Sequence, residues 1–307
     1  MRRVQSGAIA FDTPEIKVLL DETGKPTQVV LKERKATNLL IEDFMLLANE
    51  HVSEYLSKKA GAAGLTGSVV YRVHDVPDAD RIENLTQFLK VLGYHLDSQN
   101  GHVKGTAIND LLKQVAGKPE EYLIKVAALR SMAKAVYTTK NIGHFGLAFA
   151  FYSHFTSPIR RYPDLLTHRM VKHWAEREKI TKEEVAELEA LAQHSSEREV
   201  SAAEAERESV KMKLVEFMED KVGQEFDAVI SGVSDRGLYV EIKETRAEGL
   251  LSIRILGDDY FEYDEKRYRI TGRRTKKEYA LGDPIRVKLI AARVQEKELD
   301  FTLADSK

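Results

Sequence analysis

Between Ser6 and Glu33 apolar and polar residues alternate on either side of Glu22-Thr23-Gly24-Lys25-Pro26, which predicts two strands joined by a turn. An isolated hairpin is marginal in water, so this one is expected to continue a larger sheet, as if the chain began inside a domain. From Asn38 to Leu56 the period lengthens. Ile41, Phe44, Met45, Ala48, Val52, Tyr55 and Leu56 recur at helical spacing, with Glu42 at the edge of the stripe. S-V-V-Y-R-V-H, residues 68–74, predicts a strand by its β-branched content. Ile82, Leu85, Phe88 and Leu89 then predict a helix, and two more are expected over 107–115 and 120–135, bracketed by Gly105 and by Gly117-Lys118-Pro119. Residues 181–222 read as one long charged helix with opposite charges four apart, a solvated element. After Gly223 the pattern breaks into five short strands in about 80 residues, with glycine turns and one basic linker, as in a small β-barrel.

Composition narrows this picture. A chain of 307 residues with 43% hydrophobic content is long enough for a large core and is expected to hold two domains. It has no apolar run near 18 residues, and its first residues lead into no signal-peptide core, so a soluble cytoplasmic protein without membrane contact is expected. The absence of cysteine excludes disulfides and thiolate metal sites. A net charge of −2 offers no global attraction to nucleic acid, so such binding has to come from local patches. The densest is 266–277, with seven basic residues in twelve positions and no acid between them, among them Lys266, Arg273 and Arg274. Asp75, Asp78 and Asp80 have the clustering that suits Mg²⁺, but Pro77 and the apolar pattern after them favour acids at a helix N-terminus.

The richest chemistry lies between Asn141 and Val171. Ser157 suits a helix N-cap and Pro158 the first helical position, so a turn is expected there with its N–H groups open to an anion. Arg160 and Arg161 fall within that turn, and a guanidinium matches phosphate oxygens in a bidentate way. On spacing alone, two such arginines are ordinary surface charge as readily as a phosphate grip. Pro163 is expected to break or kink the chain before a helix continues through Leu166, Met170 and Trp174. His144 and His154 invite a catalytic reading but fit hydrogen-bonded structural histidines better.

H-F-G-L-A followed by Y-S-H-F-T-S-P-I-R-R-Y-P-D-L-L-T-H-R resembles the signature of the ribonuclease II and ribonuclease R family of 3′-to-5′ exoribonucleases, across some 26 positions from His144 to Arg169. The resemblance implies an α+β fold, in which residues 1–221 are the helix-rich C-terminal portion of an RNB catalytic domain and 222–307 an S1-type OB-fold RNA-binding barrel. It implies that Arg160 steadies the scissile phosphate with Arg161 beside it, that Phe11 stacks on a base and that Glu42, within I-E-D-F-M-L-L-A-N, hydrogen-bonds a ribose. Glu206 matches a glutamate that touches the terminal nucleotide, with its register left open by neighbouring glutamates. Without the resemblance, Phe11 reads as sheet core and Glu42 as solvated helix surface. Tyr239 sits where the S1-type barrel presents a stacking aromatic, whereas Ser252 stands where histidine is usual and Leu238 replaces a common aromatic. Single-stranded RNA is the implied partner, and no small-molecule cofactor is implied. The family holds Mg²⁺ with closely spaced aspartates near the start of its catalytic domain, and no such cluster occurs in these 307 residues. The expectation is therefore part of a ribonuclease R-like enzyme that binds RNA but does not cleave it alone. The alternative is a non-catalytic RNA-binding adaptor of the same family.

Overall fold

The computed structural model describes residues 2–11, 15–118, 120–176 and 180–304, and of Arg2, Arg3 and Lys266 the backbone alone. In chain order a short helix α1 (Arg2–Gln5) precedes a hairpin of β1 (Ile16–Leu20) and β2 (Pro26–Leu31), then α2 (Ala36–Ala62), β3 (Tyr71–Val73) and α3 (Ala79–Val91). Two short strands, β4 (Ser98–Gln99) and β5 (His102–Val103), lead to α4 (Gly105–Val115), α5 (Glu121–Ser131) and β6 (Val136–Thr138). A long irregular segment reaches α6 (Tyr162–Glu176) and α7 (Lys182–Glu219). The remaining strands are β7 (Glu225–Ser234), β8 (Gly237–Ile242), β9 (Glu248–Ser252), β10 (Phe261–Asp264), β11 (Arg269–Gly272), β12 (Glu278–Ala280), β13 (Pro284–Arg293) and β14 (Glu298–Leu303). The chain forms two compact units, one of Met1–Phe11, Arg34–Gln114 and Ala127–Ala203, the other of Asp12–Glu33, Val115–Val126 and Glu204–Lys307.

In the first unit, Leu56, Val70, Val73, Tyr137, Leu166, Met170 and Leu188 form a core from α2, β3, β6, α6 and α7. Helix α2 buries Leu46, Asn49, Ser53, Leu56 and Ala60, whereas Ile41, Phe44 and Tyr55 of the predicted stripe are exposed. The buried face is displaced because two of its members are polar and have partners. The Asn49 side chain donates to the Tyr152 hydroxyl at 3.2 Å and accepts from the Phe155 N–H at 3.0 Å. The Ser153 hydroxyl donates to the Val70 carbonyl at 2.8 Å and lies 3.0 Å from the Ser53 hydroxyl. A count of apolar letters misses such a face, although buried polar groups that are paired pack as well as apolar ones. Asp78 caps α3 by accepting from the Asp80 and Arg81 N–H groups. The charged helix α7 also has an inward row. Glu189 accepts from Thr138 and Thr139, the Ser196 hydroxyl accepts from the Tyr137 N–H at 2.8 Å, and Glu199 pairs with Arg72.

In the second unit, β13-β14-β9-β8-β7 close into a five-stranded barrel whose only parallel pair is β14 with β9. Alternate residues Ile230, Leu238, Val240, Ile242, Leu251, Leu289 and Phe301 fill its interior. Gly249 permits the parallel contact, because a Cβ there would lie 2.3 Å from the Leu299 carbonyl oxygen and 2.6 Å from the Phe301 ring. Among the described residues the hairpin extends no larger sheet. It remains two-stranded and lays Ile16, Val18 and Val29 against the barrel core, which supplies the apolar burial a lone hairpin lacks. The basic linker is also folded, as an antiparallel sheet β10-β11-β12 with Phe261, Ile270 and Tyr279 inward.

Candidate nucleic-acid interface

The T-S-P-I-R-R-Y-P-D corner is a single turn followed by a helix. Arg160 and Arg161 donate their backbone N–H groups to the Ser157 carbonyl at 3.3 and 3.0 Å, and α6 then starts at Tyr162. Pro163 lies in the first helical turn, where its missing N–H costs no bond, so the interruption falls ahead of Tyr162. Asp164 is wholly buried. Its Oδ1 accepts from the Ser157 N–H at 2.7 Å and from Arg161 Nη2 at 2.8 Å. Arg161 is thereby committed to holding the corner, since a buried carboxylate needs a charged, hydrogen-bonding partner. Arg160, its neighbour, is exposed, and among the described residues no carboxylate pairs with its guanidinium. The corner presents one uncommitted guanidinium on a rigid base.

Behind it lies an aromatic and imidazole cluster. Tyr137, His144, Tyr152 and His154 meet edge to face at 5.3 to 5.6 Å between ring centroids. His154 Nδ1 is hydrogen-bonded to the Tyr137 hydroxyl at 2.8 Å, and His144 Nδ1 accepts from the Leu147 N–H at 3.1 Å. Burial, followed by the neighbouring His74 and Arg72, pushes His144 down to about 4. Burial, followed by Arg161 and Arg72, pushes His154 down to about 3. Burial likewise raises Tyr137 to about 12. Neutral, half-buried and bonded, these histidines serve the framework.

Phe11 ends a segment strapped down by one residue that sequence reasoning passed over. Buried Asn109 donates to the Ala8 carbonyl at 2.8 Å and accepts from the Ala10 N–H at 3.1 Å. Ile9 adds a bond to the Gly146 carbonyl at 2.9 Å. Phe11 itself is half-buried and lines a cavity of about 510 Å³ with His74, Leu129 and Met132. Glu42 is half-buried on α2 and ion-paired with Arg34. Phe11, Glu42 and Arg160 share one unit, but no hydrogen bond or ion pair joins Glu42 to Arg160. Glu206 belongs to the other unit, on an exposed stretch of α7, and lines a groove with Val210, Leu214, Glu241 and Arg246. Of the three clustered aspartates, Asp78 caps α3 and Asp75 accepts from the Val76 N–H. Among the described residues no group of three or more histidine and carboxylate side chains is placed to hold one.

On the barrel, Tyr239 is half-buried on β8 opposite Gly232, the face turned away from the interior residues Leu238 and Val240. Leu238 is fully buried, so its difference from the usual aromatic changes the core and not the outer face. The Ser252 hydroxyl accepts from the Arg254 N–H at 3.4 Å. Much of the basic run is neutralised by the strands beside it. Arg267 and Arg269 pair with Asp264, Arg269 also with Glu278, and Arg273 with Glu262. Arg273 lies 5.1 Å over the exposed Tyr260 ring, and Arg274 donates to the Asp258 carbonyl at 2.7 Å. The side chain of Lys266 lies outside the described residues. No described helix is long and apolar enough to cross a membrane.

Comparison with known proteins gives this geometry a lineage. The chain is 39% identical over 305 residues to the ribonuclease R of Aquifex aeolicus, covering 99% of this chain and 42% of that protein. It is 38% identical over 308 residues to ribonuclease R 1 of Lactococcus lactis, covering 99% of this chain and 37% of that one. The chain thus spans about two-fifths of the length of these relatives. Among solved structures, Mycoplasma genitalium RNase R in complex with ribose methylated single-stranded RNA matches with a TM-score of 0.90 and 26% identity, over 99% of this chain and 47% of that one. The S1 RNA binding domain model matches residues 219–304, the barrel with its added sheet. The RNB domain model matches residues 1–177, more than half of the chain and all of the arginine corner, and the chain belongs to the ribonuclease R-like RNB family.

Proposed function

We propose that the chain supplies the RNA-holding side of a cytoplasmic, ribonuclease R-like 3′-to-5′ exoribonuclease that releases nucleoside 5′-monophosphates from single-stranded RNA. In this reading residues 1–221 belong to the catalytic domain and 222–307 to the S1-type barrel. Arg160 grips the scissile phosphate, Phe11 stacks on a base, and Glu42 accepts from a ribose 2′-hydroxyl, which favours RNA over DNA. Glu206 meets the terminal nucleotide, while Tyr239 and the 266–277 segment, with Lys266, Arg273 and Arg274, guide the strand. Mg²⁺ supplies the activation of water in such enzymes. Among the described residues no group of three or more histidine and carboxylate side chains is placed to hold that ion, and in this reading the chain by itself holds RNA and leaves it intact.

The observation that carries this reading is the division between the paired arginines. Arg161 is locked to buried Asp164, while Arg160 is exposed without a carboxylate partner among the described residues, an arrangement that prepares a charge for an anion from outside. The test is filter binding of 5′-labelled single-stranded RNA across a salt series. R160A is expected to weaken binding several-fold and to reduce the slope of log affinity against log salt by about 0.7, one phosphate's share for a single strand, with an unchanged melting temperature. Equal affinity and equal slope for R160A would overturn the assignment.

A further inference from the structure

The cavity beside Phe11 has a second character that the arginine corner does not explain. One side is apolar, from Phe11, Leu129 and Met132, and the rest of its lining includes three cations, Arg81, Arg130 and Lys134. The cations come from different places in the sequence, the first turn of α3, the last turn of α5 and the connection to β6. All three are exposed. Among the described residues no carboxylate lines the cavity and none pairs with any of the three. Arg130 near a helix C-terminus is electrostatically comfortable there, but Arg81 sits at an N-terminus, where a cation is disfavoured. Three like charges around one opening also repel each other unless an anion enters.

The walls are fixed to one another. His74 accepts from the Gly146 N–H at 2.8 Å through Nδ1, so Nε2 carries the proton and donates to the Ala133 carbonyl at 2.9 Å. Gly146 in turn accepts from Ile9 two residues before Phe11. One imidazole therefore ties the loop that bears Lys134 to the turn that holds the Phe11 segment. Such preorganisation lowers the ordering cost of binding.

We propose that this cavity is a nucleoside-phosphate subsite, with the base against Phe11 and Leu129 and the phosphate among Arg81, Arg130 and Lys134. It deepens the RNA-binding reading at Phe11 and rests on it for the base contact. The shared chemistry is one base and one phosphate, whether within an RNA strand or in a free mononucleotide. Both sources are tested on the whole chain, using a 5′-labelled oligouridylate and free uridine 5′-monophosphate, with wild type, R130A/K134A and R160A. Melting temperatures control for folding, since both substituted side chains are exposed.

The expected result is that R130A/K134A binds the oligomer about tenfold more weakly, lowers the salt slope by about 0.7 and loses uridine monophosphate binding, while R160A keeps the mononucleotide site. Oligomer binding that the double variant leaves untouched overturns the subsite and spares the proposed function. Mononucleotide binding that depends on Arg130 and Lys134, with no oligomer binding at all, supports the subsite and overturns the wider RNA reading. A wild-type chain that binds neither ligand overturns both.

Discussion

Arg160 and Arg161 are identical in kind and adjacent in sequence, yet their surroundings divide the work between support and contact. The division comes from Asp164, three residues beyond Arg161 and wholly buried. Removing the Arg161 guanidinium leaves that carboxylate uncompensated, so R161A is expected to destabilise the first unit by about 3 kcal/mol, read as a lower denaturant midpoint. R160A is expected to leave the midpoint unchanged. A common loss of stability in both variants would refute the division. The half-buried histidines add a pH signature. His144 is held at about 4 and His154 at about 3, against about 6.5 for a free imidazole. Between those limits the unfolded chain binds more protons than the folded one, so stability falls as the pH drops from about 6.5 toward 4, by several kcal/mol in all, and these groups contribute no slope above pH 7.5. Melting curves across pH 4–8 check this. H154Q should flatten the profile, and an unaltered profile in H154Q would remove His154 from the cause.

At the scale of elements, strands and charged helices were legible in the sequence to different degrees. The five barrel strands and the Asp78 cap follow from alternation and turn chemistry, both local signals. The inward row of α7 does not, because Glu189, Ser196 and Glu199 look like solvated residues until β3 and β6 are placed beside them. The sheet β10-β11-β12 was hidden by its charge, whose acidic partners lie on other strands. Asn109 and His74 carry no motif, and their roles exist only once distant backbone groups come within 3.1 Å. Gly249 is an element-scale constraint of the same kind. G249A is expected to cost at least about 2 kcal/mol, because the new methyl meets the Leu299 backbone and the Phe301 ring. A melting temperature equal to that of wild type would show that β9 and β14 can separate without cost.

For the whole molecule, the candidate RNA contacts divide between the two units, with Phe11, Glu42 and Arg160 in one and Glu206, Tyr239, Arg273 and Arg274 in the other. A net charge of −2 means that none of this is visible in the overall balance, and the attraction has to be local. The family was legible because its signature occupies one unbroken stretch. The subsite at Phe11 was not, since Arg81, Arg130 and Lys134 converge only through the fold. The most direct test of the proposed role is to incubate the chain with 5′-labelled single-stranded RNA and Mg²⁺, beside an EDTA control, following both retention on a filter and RNA length. RNA that is retained and stays full-length in both samples is the expected result. An EDTA-sensitive ladder of shortened products that co-purifies with the chain would contradict it, and so would failure to retain RNA at low salt.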